Sequence, residues 1–235
     1  TLLRLNRPNE VIALLSPHTE FPTEGQRGSH HRILGRAYRA LEDYQSALPH
    51  AERAVVHLSN AYGEDDWDTL VAMSSLSYLY ILMNNCEKAV PLAEEAYQRM
   101  AAREGETKQG VLIELGNRGS RRADCGQRDA GIRDLYAARD QLRLHYSNTN
   151  APAQSFAMAL ARQLGNAKRY DEALAVIATL SADAAAQIQA SGGPSVKPAT
   201  LQVLHARLLH GAGRSAEALP LLSSALEVLE APENT

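Results

Sequence analysis

Tyr38-Arg-Ala-Leu-Glu-Asp-Tyr44-Gln-Ser-Ala47-Leu-Pro49-His-Ala51-Glu-Arg-Ala54 returns along the chain at a fixed interval, and that return decides the fold. Forty-two residues later, Tyr80, Cys86, Ala89, Pro91, Ala93 and Ala96 stand opposite Tyr38, Tyr44, Ala47, Pro49, Ala51 and Ala54. A second step of 42 reaches Gly126-Gln-Arg-Asp-Ala-Gly131-Ile132, followed by Leu135 and Ala138. A third gives Lys168-Arg-Tyr170-Asp-Glu-Ala173-Leu174, with Ile177 and Leu180. The last step is 45, to Gly213-Arg-Ser-Ala-Glu-Ala218-Leu219, and its three extra residues match the Ser191-Gly-Gly-Pro194 loop, which reads as a connector. Such a period marks a stacked-repeat protein, in which each unit buries its apolar face only against its neighbours.

Within each unit the apolar spacing is helical, and no alternating strand pattern competes with it. Helices are expected near 9–16, 29–42, 44–58, 67–83, 86–100, 107–124, 128–143, 151–167, 170–187, 197–211 and 215–229. Small residues recur where two helices approach closely, because a larger side chain would push the axes apart. Pro49, Pro91 and Pro220 are placed in the first turn of the second helix, where a missing N–H leaves no bond unmade. The expected architecture is all-α, a single domain over residues 1–235. It holds a half-repeat at 1–24 and repeats at about 28–62, 67–104, 107–148, 151–190 and 197–230.

With 235 residues, 45% apolar and 22% charged, the chain can bury a sizeable core and is not a disordered polymer. Twenty-four basic against 27 acidic residues give a net charge of −3, which advertises neither nucleic acid nor membrane. The longest apolar run, Tyr78 to Met83, is too short to span a bilayer. The chain opens on Thr1 without a signal segment and ends in Ala231-Pro232-Glu-Asn-Thr235 without a polar capping helix, so it reads as a piece of something longer.

A second stretch, Tyr62-Gly-Glu-Asp-Asp66-Trp67-Asp68-Thr69-Leu70-Val-Ala-Met-Ser74-Ser75-Leu76-Ser-Tyr-Leu-Tyr80, is more specific. With Glu87-Lys-Ala89-Val-Pro91-Leu92 it resembles the tetratricopeptide repeat (TPR), in the 42-residue variant of kinesin light chains and many bacterial signalling proteins. Gly63, Asp68, Thr69, Leu70, Leu76 and Tyr80 carry the match. Ser74 and Ser75 replace the Asn pair by which the family holds a peptide backbone, and Gly119 and Arg122 depart from its small and aromatic places. The resemblance implies a right-handed α-α superhelix of about eleven helices, with first helices lining the concave side. It also implies protein or peptide recognition, as the sensor or regulatory part of a larger bacterial signalling or transcription-regulating protein. The alternative is a self-associating cytoplasmic scaffold, since uncapped repeat ends invite stacking into homo-oligomers.

Read in register, the charge is polarised. First-helix spans hold 11 Lys or Arg against 3 acids, and second-helix spans 7 against 13. Arg36, Arg162 and Arg207 share one repeat position, held by Tyr78 and Ser120 in the other units, and Arg32 and Arg39 lie a turn either side of Arg36. With Asn117 these are the expected ligand-binding residues, a groove for acidic segments or carboxylate ends, which arginine forks grip bidentately. Ile81, Ile113, Met158 and Val203 are candidate apolar seats in that groove, with core packing the favoured use for at least half of them. The competing reading is a solvated face whose arginines pair with acids on neighbouring repeats.

Chemistry finds little support, and no catalytic residue, metal or cofactor is expected. His30-His31 reads as the opening of a first helix; His205 and His210 are five apart, off the spacing of four that puts two ligands on one face. Asp65, Asp66 and Asp68 precede a helix and read as caps. Cys86 and Cys125 lie along one edge, one repeat apart; a disulfide is conceivable and would mean an oxidising compartment, but two free packing thiols are favoured. Nucleic acid is not expected as a partner, since only Tyr78 offers a stacking surface in the groove. The compartment stays open between cytoplasm and, for a membrane-attached regulator, periplasm.

Overall fold

The computed structural model describes residues 7–18, 20–147, 149–191 and 198–230. Among them lie eleven α-helices and no strand: α1 (Pro8–Leu15), α2 (Glu24–Ala40), α3 (Tyr44–Tyr62), α4 (Trp67–Leu82), α5 (Cys86–Glu104), α6 (Gln109–Asp124), α7 (Arg128–His145), α8 (Ala151–Asn166), α9 (Tyr170–Ser191), α10 (Pro198–Gly211) and α11 (Ser215–Glu230). The fold is an all-α, TPR-like repeat solenoid, as the period requires. The Gly192–Pro194 part of the connector and the Ala231–Thr235 tail lie outside the described residues.

The turn between first and second helices carries the register in its backbone. Glu42, Asn84, Gly126, Lys168 and Gly213 all have positive φ, between 56° and 85°. The residue after each donates its N–H five residues back, as from Asn85 to the Tyr80 carbonyl at 2.8 Å and from Arg214 to the Leu209 carbonyl at 2.8 Å. One left-handed residue thus closes the last turn and satisfies carbonyls that would otherwise be orphaned. Asp43 and Asn85 then cap the second helices, accepting from the N–H of Ser46 and Lys88.

α3, α5 and α9 each run four residues past their expected ends, and two further expectations move by about one helical turn. α2 begins at Glu24 rather than near 29, because Thr23 caps it by accepting from the Gln26 N–H, so His30 and His31 lie inside the helix instead of opening it. Pro49, Pro91 and Pro220 are the sixth residues of α3, α5 and α11, inside the helices and not in their first turns. Each therefore withholds an N–H from the carbonyl four residues back, at Gln45, Glu87 and Ala216. The caps that start α3 and α5 one turn earlier than the proline are the cause.

The chain divides into two compact units after Glu114. In the first, α2 packs on α3 and α4 on α5. Leu70, Met73, Ala96, Met100 and Val111 form one core cluster, and Leu76, Tyr80 and Ala89 another. In the second, Ala206, Leu209 and Ala218 pack with Leu174 and Leu221. There the backbones of α6 and α7 approach closely, so that a Cβ on Gly131 would stand 2.4 Å from the Gly119 carbonyl oxygen. The departure at Gly119 is thus a packing requirement. No helix among the described residues is long and apolar enough to cross a membrane.

Candidate functional site

The arginines singled out by the period fall into two groups. Arg32 bonds Asp68 at 2.8 Å, and Arg39 lies over the Tyr78 ring at 5.1 Å. Arg36 is exposed between them and makes no ion pair or hydrogen bond among the described residues. Arg32 thus pairs with an acid of the neighbouring repeat, and Arg36 has no such partner among the described residues. All three arginines line a cleft of the first unit with Gly35, Ala72, Ser75 and Leu79. At 20 Å³ it has room for a contact and not for a buried side chain.

Ser74 and Ser75 show what replaced the expected peptide-gripping pair. Ser74 is buried and donates to Glu114 Oε2 at 2.7 Å. Ser75 donates to the Val71 carbonyl at 2.9 Å, yet lines the Arg36 cleft. A short hydroxyl bonded within its own fold cannot also pair both edges of a peptide unit, as an amide side chain does.

In the second unit the structure brings Arg162 and Arg207 together. Both are exposed, neither is paired among the described residues, and they share two adjoining clefts. One, of 330 Å³, adds Asn166, Lys168, Tyr170 and His210; the other, of 350 Å³, is floored by Met158, Val203 and Leu204. Met158 and Val203 thus stand beside cationic side chains, whereas Ile81 packs against the core cluster of Leu76 and Tyr80. Lys168, Tyr170 and His210 were not foreseen; the turn that presents Lys168 is visible only once its positive φ is known. Ser120 donates to the Gly116 carbonyl at 3.1 Å, and Asn117 is half-buried.

Arg122, which stands where Tyr38 and Tyr80 stand in earlier repeats, donates to Asp134 Oδ2 at 2.9 Å. Arg118 meets the same carboxylate through two bonds, of 2.9 and 2.8 Å. The same pair of positions recurs in other repeats: Tyr38 stacks on His50, Leu92 packs against the cluster that holds Tyr80, and Leu221 against the cluster that holds Leu209. Both members change together, so the departure at Arg122 is compensated.

Asp66 caps α4 by accepting from the Asp68 N–H at 2.9 Å, as read. The preference for free thiols is overturned: neither cysteine is free, and both Cys86 and Cys125 are disulfide-bonded. Each is half-buried at a helix end and not in the packed middle of a helix, where a small apolar thiol would be shielded.

Comparison with known proteins agrees with this geometry. Residues 27–102 match the family model described as tetratricopeptide repeat. No curated protein matches the chain. A putative kinesin light chain of Podosopora anserina with nearly identical TPR-like repeats superposes with a TM-score of 0.74 at 18% identity, over 92% of this chain and all of that one. BtubC (BKLC) from P. vanneervenii gives 0.73 at 15%, covering 97% and 89%. A thermophilic TPR protein of Thermus thermophilus gives 0.56 at 19%, covering 88% and 93%. Residues 27–102 are therefore tetratricopeptide repeat, and the helix pairs of the chain share that family's fold in its kinesin-light-chain-like form.

Proposed function

We propose that the chain is a non-catalytic recognition module that takes acidic segments of other proteins on the first-helix faces of its repeats. TPR folds are scaffolds for protein–protein interaction, and the observation that directs this one to acidic partners is its unspent arginines. Arg36 in one unit and Arg162 with Arg207 in the other are exposed and unpaired among the described residues, while arginines nearby are committed to Asp68 and Asp134. A guanidinium with no internal partner keeps its fork of donors for a carboxylate. Beside Arg162 and Arg207, Met158 and Val203 supply the apolar contact that a charged segment alone lacks. In this reading the module serves as the sensor or regulatory part of a larger bacterial signalling chain, a role supported by the resemblance of its 42-residue repeat.

Binding of a fluorescent Asp/Glu-rich peptide tests it. Arg36→Glu and the double variant Arg162→Glu/Arg207→Glu should each weaken binding about tenfold or more, with melting temperatures nearly unchanged because all three residues are exposed. Unaltered affinity in both variants would refute the assignment.

A further inference from the structure

Five of the eight histidines meet in one place, and none belongs to the arginine faces. His30 and His31 come from α2, His50 and His57 from two turns of α3, and His18 from the segment after α1. They line a cavity of 580 Å³ in the first unit, together with Arg27, Arg53, Ser16 and Tyr38. That volume is of the size that holds a small molecule.

The side chains touch one another. His31 Nδ1 and His50 Nδ1 are 2.8 Å apart, a distance at which one ring donates and the other accepts. His31 stacks on His57 with centroids 5.5 Å apart, and Tyr38 stacks on His50 at the same separation. Phe21 lies 4.5 Å from His30. His30 is only 9% exposed, and its Nδ1 has no hydrogen-bond partner among the described residues. A buried ring nitrogen left unpaired is costly unless something that enters the cavity meets it.

The charge balance says what that is. The lining holds five imidazoles and two guanidiniums and, among the described residues, no carboxylate. The nearest acid, Glu24, is outside it and already engaged by His57 at 2.6 Å and Arg27 at 2.6 Å. Nor do three His, Cys, Asp or Glu side chains converge among the described residues as a metal ion needs. Cationic and N–H donors with no carboxylate competing for them make a seat for an oxyanion.

We propose that this cavity binds a small molecule bearing a phosphate or carboxylate group, held by His30, His31, His50 and Arg53, and that it takes up protons on binding. Without a ligand, His30, His31 and His50 hold protons less readily than an ordinary imidazole. Burial lowers all three, and His31, facing His50, His30, His57 and Arg53, falls to about 4. The groups that face them are His18 from the segment after α1, Glu24 and Arg27 on α2, and Arg53 and His57 on α3. An entering anion reverses the sign of the local field, so a proton joins an imidazole as the oxyanion docks.

Calorimetric titration of the whole chain with pyrophosphate and with citrate, in two buffers of different ionisation enthalpy, tests this. At least one anion should bind, with net proton uptake and an affinity that rises by up to about tenfold per pH unit on going from about pH 8 to about pH 6. Pyrophosphate alone would assign a phosphate ligand, citrate alone a carboxylate. Arg53→Gln is exposed and should fold normally, yet weaken binding about fivefold or more. The Arg36→Glu variant should bind these anions unchanged, which separates the cavity from the peptide face. The proposal falls if neither anion binds at either pH, if binding is indifferent to Arg53→Gln, or if zinc binds instead with no anion present.

Discussion

Asp134 holds two guanidiniums at once, and its side chain and that of Arg118 are only 12% and 11% exposed. Removing the carboxylate takes a shared acceptor from two partly buried cations, so Asp134→Ala should lose about 3 kcal/mol in urea unfolding. Asp68→Ala breaks the bridge to Arg32, whose acid is half-exposed, and should cost about 1 kcal/mol or less. The histidines give the second residue-scale prediction. His30, His31 and His50 have folded-state values below the ordinary 6.5, so the unfolded chain binds more protons below that pH. Stability is full above 6.5 and falls as the pH drops toward about 4, the value to which His31 is lowered. The melting temperature should therefore decline between pH 7 and pH 5, before most carboxylates titrate, and His31→Gln should flatten that decline. A pH-independent melting temperature over that interval would contradict it. Neither feature was open to inspection residue by residue. Arg122 read as a fault in the repeat because its partner Asp134 lies in the next helix, and the pairing shows only when positions 38 and 50, 80 and 92, 122 and 134 are compared as pairs. The histidine cavity needed α2 and α3 brought face to face, although His50 and His57, seven apart, already share one face of a helix.

The helices themselves were almost wholly legible, since a period repeated five times averages out the noise of any one segment. What escaped was local. Thr23 caps α2 a turn early, with Gln26 three residues on, a signal present in the chain but outside the repeat. The left-handed turn residue was legible where it is Gly126 or Gly213, and invisible where it is Glu42 or Lys168, because those residues carry no preference for positive φ. The same position thus offers an internal test of backbone strain. At Gly126 a Cβ would meet nothing within 4 Å, so Gly126→Ala reports conformation alone and should destabilise by about 1 kcal/mol. Lys168→Gly removes the strained side chain at the matching place and should be neutral or stabilising by a few tenths of a kcal/mol, relief of strain offsetting the greater entropy of an unfolded glycine. Urea midpoints of both variants settle the sign. If alanine at 126 cost nothing, the turn would not be constraining the backbone.

Over the whole molecule, net charge and charge placement make opposite predictions about an acidic partner. The total is −3, which taken alone means repulsion that added salt would relieve. The first-helix spans carry 11 cations against 3 acids, and Arg36, Arg162 and Arg207 are among the members of that set that are exposed and unpaired among the described residues. Screening acts over about 8 Å at physiological ionic strength, so a peptide lying on those helices feels the near arginines far more than distant acids on the second helices. Affinity for an Asp/Glu-rich peptide should therefore fall as salt rises, by about tenfold between about 50 and 500 mM, and more slowly for Arg162→Glu/Arg207→Glu. A peptide of the same length with Lys for Asp and Glu should bind weakly at every salt concentration. Should the acidic peptide instead bind more tightly in high salt, the total charge would govern, and the polarity of the repeat would serve only internal pairs such as Arg118 with Asp134.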